Sequence, residues 1–262
     1  MQRYREAAIA FDESEGPSPA PELRYVRAKI AFEIQDYPRV ISCLQDLEPV
    51  LPEFSTEIAL LRAHAHSELG PFEEAAEFFA TRSDVESAVR SAKTFLKAAK
   101  PDRALEVLSK AWGRLRDGQT SQRAEVLRLQ AELFESQGRK SEAAEAYKIL
   151  TFDLPTEAAA READLAYERL SSTRLTKKQR YARSEAFTSS GAIDAALHEL
   201  ELMDGAPGEP PPGVVVLRTQ AWAYYKSRRD YAKAARLFAQ AAKLDPEFRT
   251  QDTFFSARAL SR

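Results

Sequence analysis

"YYKSRRDYAKAARLFAQAAKLDP", residues 224–246, decides how the rest of the chain is read. Tyr231, Ala234, Ala235, Phe238 and Ala241 recur at helical intervals, so they line one side of an α-helix. Asp245-Pro246 closes that helix, because proline cannot continue it. Upstream, Leu217, Ala221 and Tyr224 form a second helical stripe, separated from the first by Ser227-Arg228-Arg229-Asp230. Two amphipathic helices with small residues on their facing sides make a helical hairpin.

The same arrangement recurs along the chain. Ala28 precedes Val40 by twelve residues, and the step returns from Ala63 to Ala75, Ala92 to Ala104, Ala131 to Ala143 and Ser184 to Ala196. Small residues at those places let the two helices of a hairpin cross closely. Aromatic and leucine positions between them fill the space from one hairpin to the next. Gly70, Gly138 and Gly191 stand in the turns, where the backbone that ends a helix favours glycine. Six imperfect copies resemble the tetratricopeptide pattern, whose period is about 34 residues. The expected fold is all-α: a right-handed superhelix of tetratricopeptide-like hairpins, an α-solenoid of about fifteen helices forming one domain over residues 1–262.

The spacing is uneven, with the largest step, from Ala131 to Ser184, holding an extra helix over 156–172. "MDGAPGEPPPG", residues 203–213, and the early "EGPSPAP" read as connections between hairpins rather than domain linkers.

Composition agrees with a helical, well-cored protein: 44% hydrophobic, 30% charged and only 9 glycines in 262 residues. A net charge of −2 gives no reason to expect nucleic acid. The charge is distributed unevenly, since residues 1–60 are acidic overall and residues 211–262 are basic. The single cysteine, Cys43, excludes an internal disulfide and a thiolate metal cluster, and its neighbours Val40, Ile41, Leu44 and Leu47 point to buried packing. No run approaches the ~18 apolar residues of a membrane span. The opening "MQRYREAAIAFDESEG" has no apolar core of the signal-peptide type. The chain is therefore read as cytoplasmic, or as one from which a leader has been removed.

"LTKKQRYARSEAFTSSGAIDAALHELE" from Leu175, "LRTQAWAYYKSRRDYAKAARLFAQAAK" from Leu217 and "DTFFSARALSR" from Asp252 follow one another in an order of their own. That succession resembles the N-terminal α-superhelical region of soluble lytic murein transglycosylases of the Slt type. The resemblance implies a periplasmic, non-catalytic scaffold that engages or orients peptidoglycan strands for a lysozyme-like domain elsewhere in the parent enzyme. In that family the acid/base glutamate lies in a Glu-Ser motif with a Gly-Leu-Met-Gln segment downstream. Glu13-Ser14, Glu86-Ser87 and Glu135-Ser136 occur here without that segment, so no catalytic residue carries over and the chain reads as a fragment or shortened relative. It leaves open whether the parent is an enzyme. "EFRTQDTFFSARALSR" places Phe254, Ala257, Arg258 and Leu260 on a helical face built to meet neighbours.

Other chemistry is not evident. His64 and His66 are two apart and face different sides of a helix, unlike paired zinc ligands four apart, and His198 is isolated. Neither a phosphate-binding glycine loop nor a nucleophile elbow occurs. No metal or cofactor is expected. The candidate ligand-binding edge is Trp222, Tyr225, Arg228 and Arg229, with Tyr224 and Tyr231 beside it as packing residues. Aromatic faces suit sugars and arginine forks suit carboxylates. Two functions follow: the murein scaffold, or an adaptor, expected to be monomeric, that binds a protein or peptide on its concave face.

Overall fold

The computed structural model describes residues 2–14, 20–209, 213–228 and 230–262. Among them lie fifteen α-helices, three short 3-10 turns and no strand. Contacts gather into two compact units, Met1–Leu115 and Arg116–Arg262. Most of "EGPSPAP" and residues 210–212 of the proline-rich connection fall outside the described residues.

The first unit comprises α1 (Gln2–Ser14), α2 (Pro21–Glu33), α3 (Tyr37–Leu44), α4 (Ser55–Leu69), α5 (Phe72–Ala80), α6 (Val85–Lys97) and α7 (Pro101–Trp112). Each helix packs on the next in chain order. Their starts follow from local chemistry. The Asp36 and Asp84 carboxylates cap α3 and α6, accepting from the Arg39 and Ser87 amides at 3.2 and 2.8 Å. Pro21 and Pro101 occupy first-turn positions, where a missing N–H leaves nothing unsatisfied. The small-residue pairs Ala28/Val40, Ala63/Ala75 and Ala92/Ala104 are all buried. Between hairpins, Leu44, Leu47 and Ile58 are enclosed, and Tyr25 stacks on Phe54 with centroids 4.7 Å apart. Burying each such side chain stabilises the unit by about 1.5–3 kcal/mol.

Glycine is not the sole solution to the hairpin turn. Gln35 and Ala99 hold the left-handed conformation at φ +62° and +57°, without the freedom that a missing Cβ gives. Cys43 is half-buried rather than fully enclosed: it lies on the rim of α3, against the Val40–Leu44 cluster, and burial pushes its thiol pKa up. His64 and His66 do face different ways. The His64 ring lies edge-on between Phe32 and Phe79, at 5.4 and 5.0 Å, and His66 Nδ1 is 2.7 Å from the Gly70 carbonyl.

The second unit comprises α8 (Thr120–Ser136), α9 (Lys140–Phe152), α10 (Ala163–Ser171), α11 (Lys177–Ser190), α12 (Ile193–Leu202), α13 (Gly213–Ser227), α14 (Tyr231–Leu244) and α15 (Arg249–Leu260). Ala131/Ala143 and Ser184/Ala196 are buried, as are Ala221 and its opposite numbers Ala234 and Ala235. The extra helix is shorter than the sequence suggests. A 3-10 turn at Ala158–Ala160 precedes it, and Glu162 at φ +66° and Ser172 at φ +54° bracket α10 in left-handed conformations that a helix cannot pass through. Thr176 and Gln179 form a reciprocal capping box at the start of α11, and Asp230 caps α14 by accepting from the Lys233 amide at 2.7 Å.

At the end of this unit, α15 lies on α14 through Phe255 and Ala259. The buried Asp252 carboxylate accepts from Arg218 Nε at 2.9 Å, and Arg218 Nη2 reaches Asp245 at 2.8 Å, tying α13 to α15. Phe254, Ala257, Arg258 and Leu260 all face outward.

Candidate functional site

The chemistry of the second unit starts from the small residue Ser184 on α11. Because Ser184 faces the hairpin crossing, Arg180 and Tyr181, four and three residues earlier, turn toward the interior with it. Arg180 and Arg183 are both 7% exposed and meet Glu199 of α12, which is 3% exposed. Arg183 Nε donates to Glu199 Oε1 at 2.8 Å and Arg180 Nη1 to Oε2 at 3.1 Å. Arg180 also donates to Glu168 Oε1 of α10 at 2.7 Å, and Arg183 to the Thr151 carbonyl of α9 at 2.8 Å. Asp164 of α10 lies 3.5 Å from both guanidinium groups, long for a hydrogen bond. Tyr181 reaches Thr219 of α13 through its hydroxyl at 3.0 Å, and burial pushes its pKa up to about 12.

This network forms the floor of a groove of about 510 Å³ bounded by α10, α11 and α12. Its walls carry Phe187, Leu165 and Leu202, the last two 61% and 40% exposed. Leucine left wet beside a groove of ligand-binding size marks a surface suited to an apolar group. The groove owes its existence to α10, the helix that interrupts the repeat spacing.

The edge expected from the sequence lies elsewhere in this unit. Trp222 and Tyr225 of α13 are half-buried and come together with Phe255 of α15, at centroid distances of 4.5 and 6.4 Å. Trp222 also meets Phe238 at 5.3 Å, and Tyr225 meets Tyr231 at 5.6 Å. These edge-to-face contacts make an aromatic seam joining α13, α14 and α15. Arg228 is exposed at the end of that seam, in a left-handed turn at φ +58°. Arg229 lies outside the described residues. Tyr224 has Lys233 above its ring at 4.1 Å and bonded to its hydroxyl at 2.6 Å.

Comparison with solved structures gives the frame a context. One neighbour is a tetratricopeptide repeat protein from Parabacteroides merdae ATCC 43184, at 11% identity over 90% of this chain and 98% of the other, with a TM-score of 0.46. Another is a chain in the structure of Naa15/Naa10 bound to HypK-THB, at 16% identity over 99% of this chain and 50% of that one, with a TM-score of 0.50. The fold is a tetratricopeptide-like α-solenoid. No family model and no curated protein matches the sequence.

Of the Glu-Ser pairs, two have ordinary structural positions. Glu86-Ser87 opens α6, where the Ser87 amide is held by Asp84. Glu135 near the end of α8 accepts from Arg169 at 2.8 Å, and Ser136 bonds the Leu133 carbonyl. The groove and its arginines escaped the reading of the sequence, although a signal was present. Arg180 shares the face of Ser184 on α11, and Glu199 lies three residues after the buried Ala196 on α12. Charged residues at two positions reserved for hairpin packing imply that they pair.

Proposed function

We propose that this chain is a helical binding scaffold that seats a segment of a partner protein in the groove between α10, α11 and α12. The observation that carries this reading is the groove itself: about 510 Å³, with exposed Leu165 and Leu202 on its walls above a floor of mutually bonded charges. Arginines that spend their hydrogen bonds on neighbouring carboxylates fix the shape of the groove and leave the apolar walls to make contact. The structurally similar chain of the Naa15/Naa10 assembly is found with HypK-THB, which supports the use of such a frame for meeting protein.

The test is to pan a displayed random-peptide library on the full chain, with counter-selection on a Leu165→Asp/Leu202→Asp variant whose circular dichroism matches the parent. Peptides that hold the parent and not the variant are expected. A panel in which every enriched peptide binds both proteins equally refutes the groove as the binding surface.

A sharper reading makes the chain the scaffold region of a periplasmic murein transglycosylase of the Slt type. The order of segments from Leu175 to Arg262 supports it, and the aromatic seam ending in exposed Arg228 supplies a sugar- and carboxylate-compatible edge. The protein then sediments with purified sacculi, and Arg228→Glu or added salt weakens that association. Failure of the parent protein to sediment rules out this reading and leaves the groove proposal standing.

A further inference from the structure

The two buried arginines beneath the groove give it the look of an anion site, but their bonds say otherwise. Arg180 and Arg183 already face Glu199, Glu168 and Asp164, three carboxylates for two guanidinium groups. Over the whole lining, three arginines stand against five carboxylates. The additional acids at the rim are exposed Glu162 and half-buried Glu157, which accepts from Ser121 Oγ at 2.6 Å, and the additional base is exposed Arg161. An incoming carboxylate or phosphate would therefore approach a surface with surplus negative charge whose two buried arginines are already paired.

Asp164 sharpens the point. Its side chain is 16% exposed and faces the groove, and both arginines stay 3.5 Å away, so their donors leave its oxygens with capacity to accept. Leu165, the next residue, stands 61% exposed on the same lip. A carboxylate poised to accept a charged donor beside a wet leucine is complementary to a lysine or arginine flanked by an apolar side chain.

Building on the groove reading above, we infer that the occupant is a basic, leucine-rich segment of a partner protein, bound by its apolar side chains on Leu165, Leu202 and Phe187 and by its cations at the Asp164–Glu162 rim. The charge sign of the partner follows from the surplus carboxylates. Its apolar component follows from the exposed leucines.

Two labelled 14-residue peptides, one of leucine and lysine and one of leucine and glutamate, test this by fluorescence anisotropy with the full chain. The leucine–lysine peptide is expected to bind at least about tenfold more tightly, and to weaken as salt rises from ~0.05 to ~0.3 M. Glu157→Lys/Glu162→Lys, with circular dichroism matching the parent because Glu157 is half-buried and bonded to Ser121, should weaken it by about tenfold or more. Glu22→Lys/Glu53→Lys, an equal charge reversal in the first unit, should leave it unchanged and so separates the groove from general attraction to acidic surface. Absence of leucine–lysine binding, equal or tighter leucine–glutamate binding, or equal losses in both charge-reversed variants overturns the inference. If panning meanwhile returns groove-dependent peptides of acidic or neutral sequence, the charge assignment fails while the groove survives.

Discussion

Removing Glu199 tests the account of the second unit most directly. Glu199→Ala deletes the Arg183 Nε bond at 2.8 Å and the Arg180 Nη1 bond at 3.1 Å from a residue only 3% exposed. Charge-assisted bonds contribute about 1.5–3 kcal/mol each, and breaking a buried ion pair by removing one partner costs about 3–5 kcal/mol. Neither guanidinium is fully stranded, because Arg180 keeps Glu168 and Arg183 keeps the Thr151 carbonyl. The expected loss therefore falls at the lower end, about 3 kcal/mol, and Glu199→Gln, which retains one acceptor and the volume, should lose about half as much. The two tryptophans make the assay specific, since Trp112 lies on α7 in the first unit and Trp222 on α13 in the second. In a Trp112→Phe background, Trp222 fluorescence follows the second unit through urea unfolding at neutral pH. The loss should change little with added salt, unlike that of an exposed pair such as Lys110–Glu106. A loss below about 1 kcal/mol for Glu199→Ala would refute the claim that this network holds α10, α11 and α12 together.

Three further outcomes are expected. Ala131→Leu, at a fully buried crossing of α8 and α9, should destabilise the second unit by about 2 kcal/mol in the same urea assay, and an unchanged midpoint would show that the helices do not cross tightly there. Ala99→Gly should stabilise by about 0.5–1 kcal/mol, because relief of the left-handed strain at φ +57° exceeds the added unfolded-chain entropy; a lower thermal midpoint would contradict this. Burial and then the nearby Arg90 charge lower the pKa of His64 to about 4, so between pH ~6.5 and ~4 the unfolded chain takes up a proton that the folded chain does not. Stability from this source is present above pH ~6.5 and lost as pH falls, by about 1–2 kcal/mol after allowance for partial exposure. His64→Phe should flatten that part of the pH profile relative to the parent, and parallel profiles would refute the assignment.

The repeat was readable because its physics is local. A small residue twelve positions from another fixes where two helices of a hairpin cross, and Ala28/Val40 through Ser184/Ala196 are buried as that spacing demands. The turns were only partly readable, since Gly191 announces a left-handed residue whereas Gln35 and Ala99 adopt the same conformation unannounced. The aromatic edge was legible as a cluster of residue types. That Trp222, Phe238 and Phe255 meet across three helices, however, depends on how α15 returns onto α14.

By itself, then, the sequence determined that the chain is a series of helical hairpins, where their helices cross, and that one helix between Ala131 and Ser184 is surplus to the period. The tertiary structure decided what that surplus helix does. Glu168 and Asp164 reach Arg180 and Arg183 only because α10 folds against α11, bracketed by left-handed Glu162 and Ser172, and the groove beside Leu165 exists only once those charges have met. Helix periodicity reports which residues share a face within one segment. Pairing of charges across segments depends on packing distances that no single segment encodes.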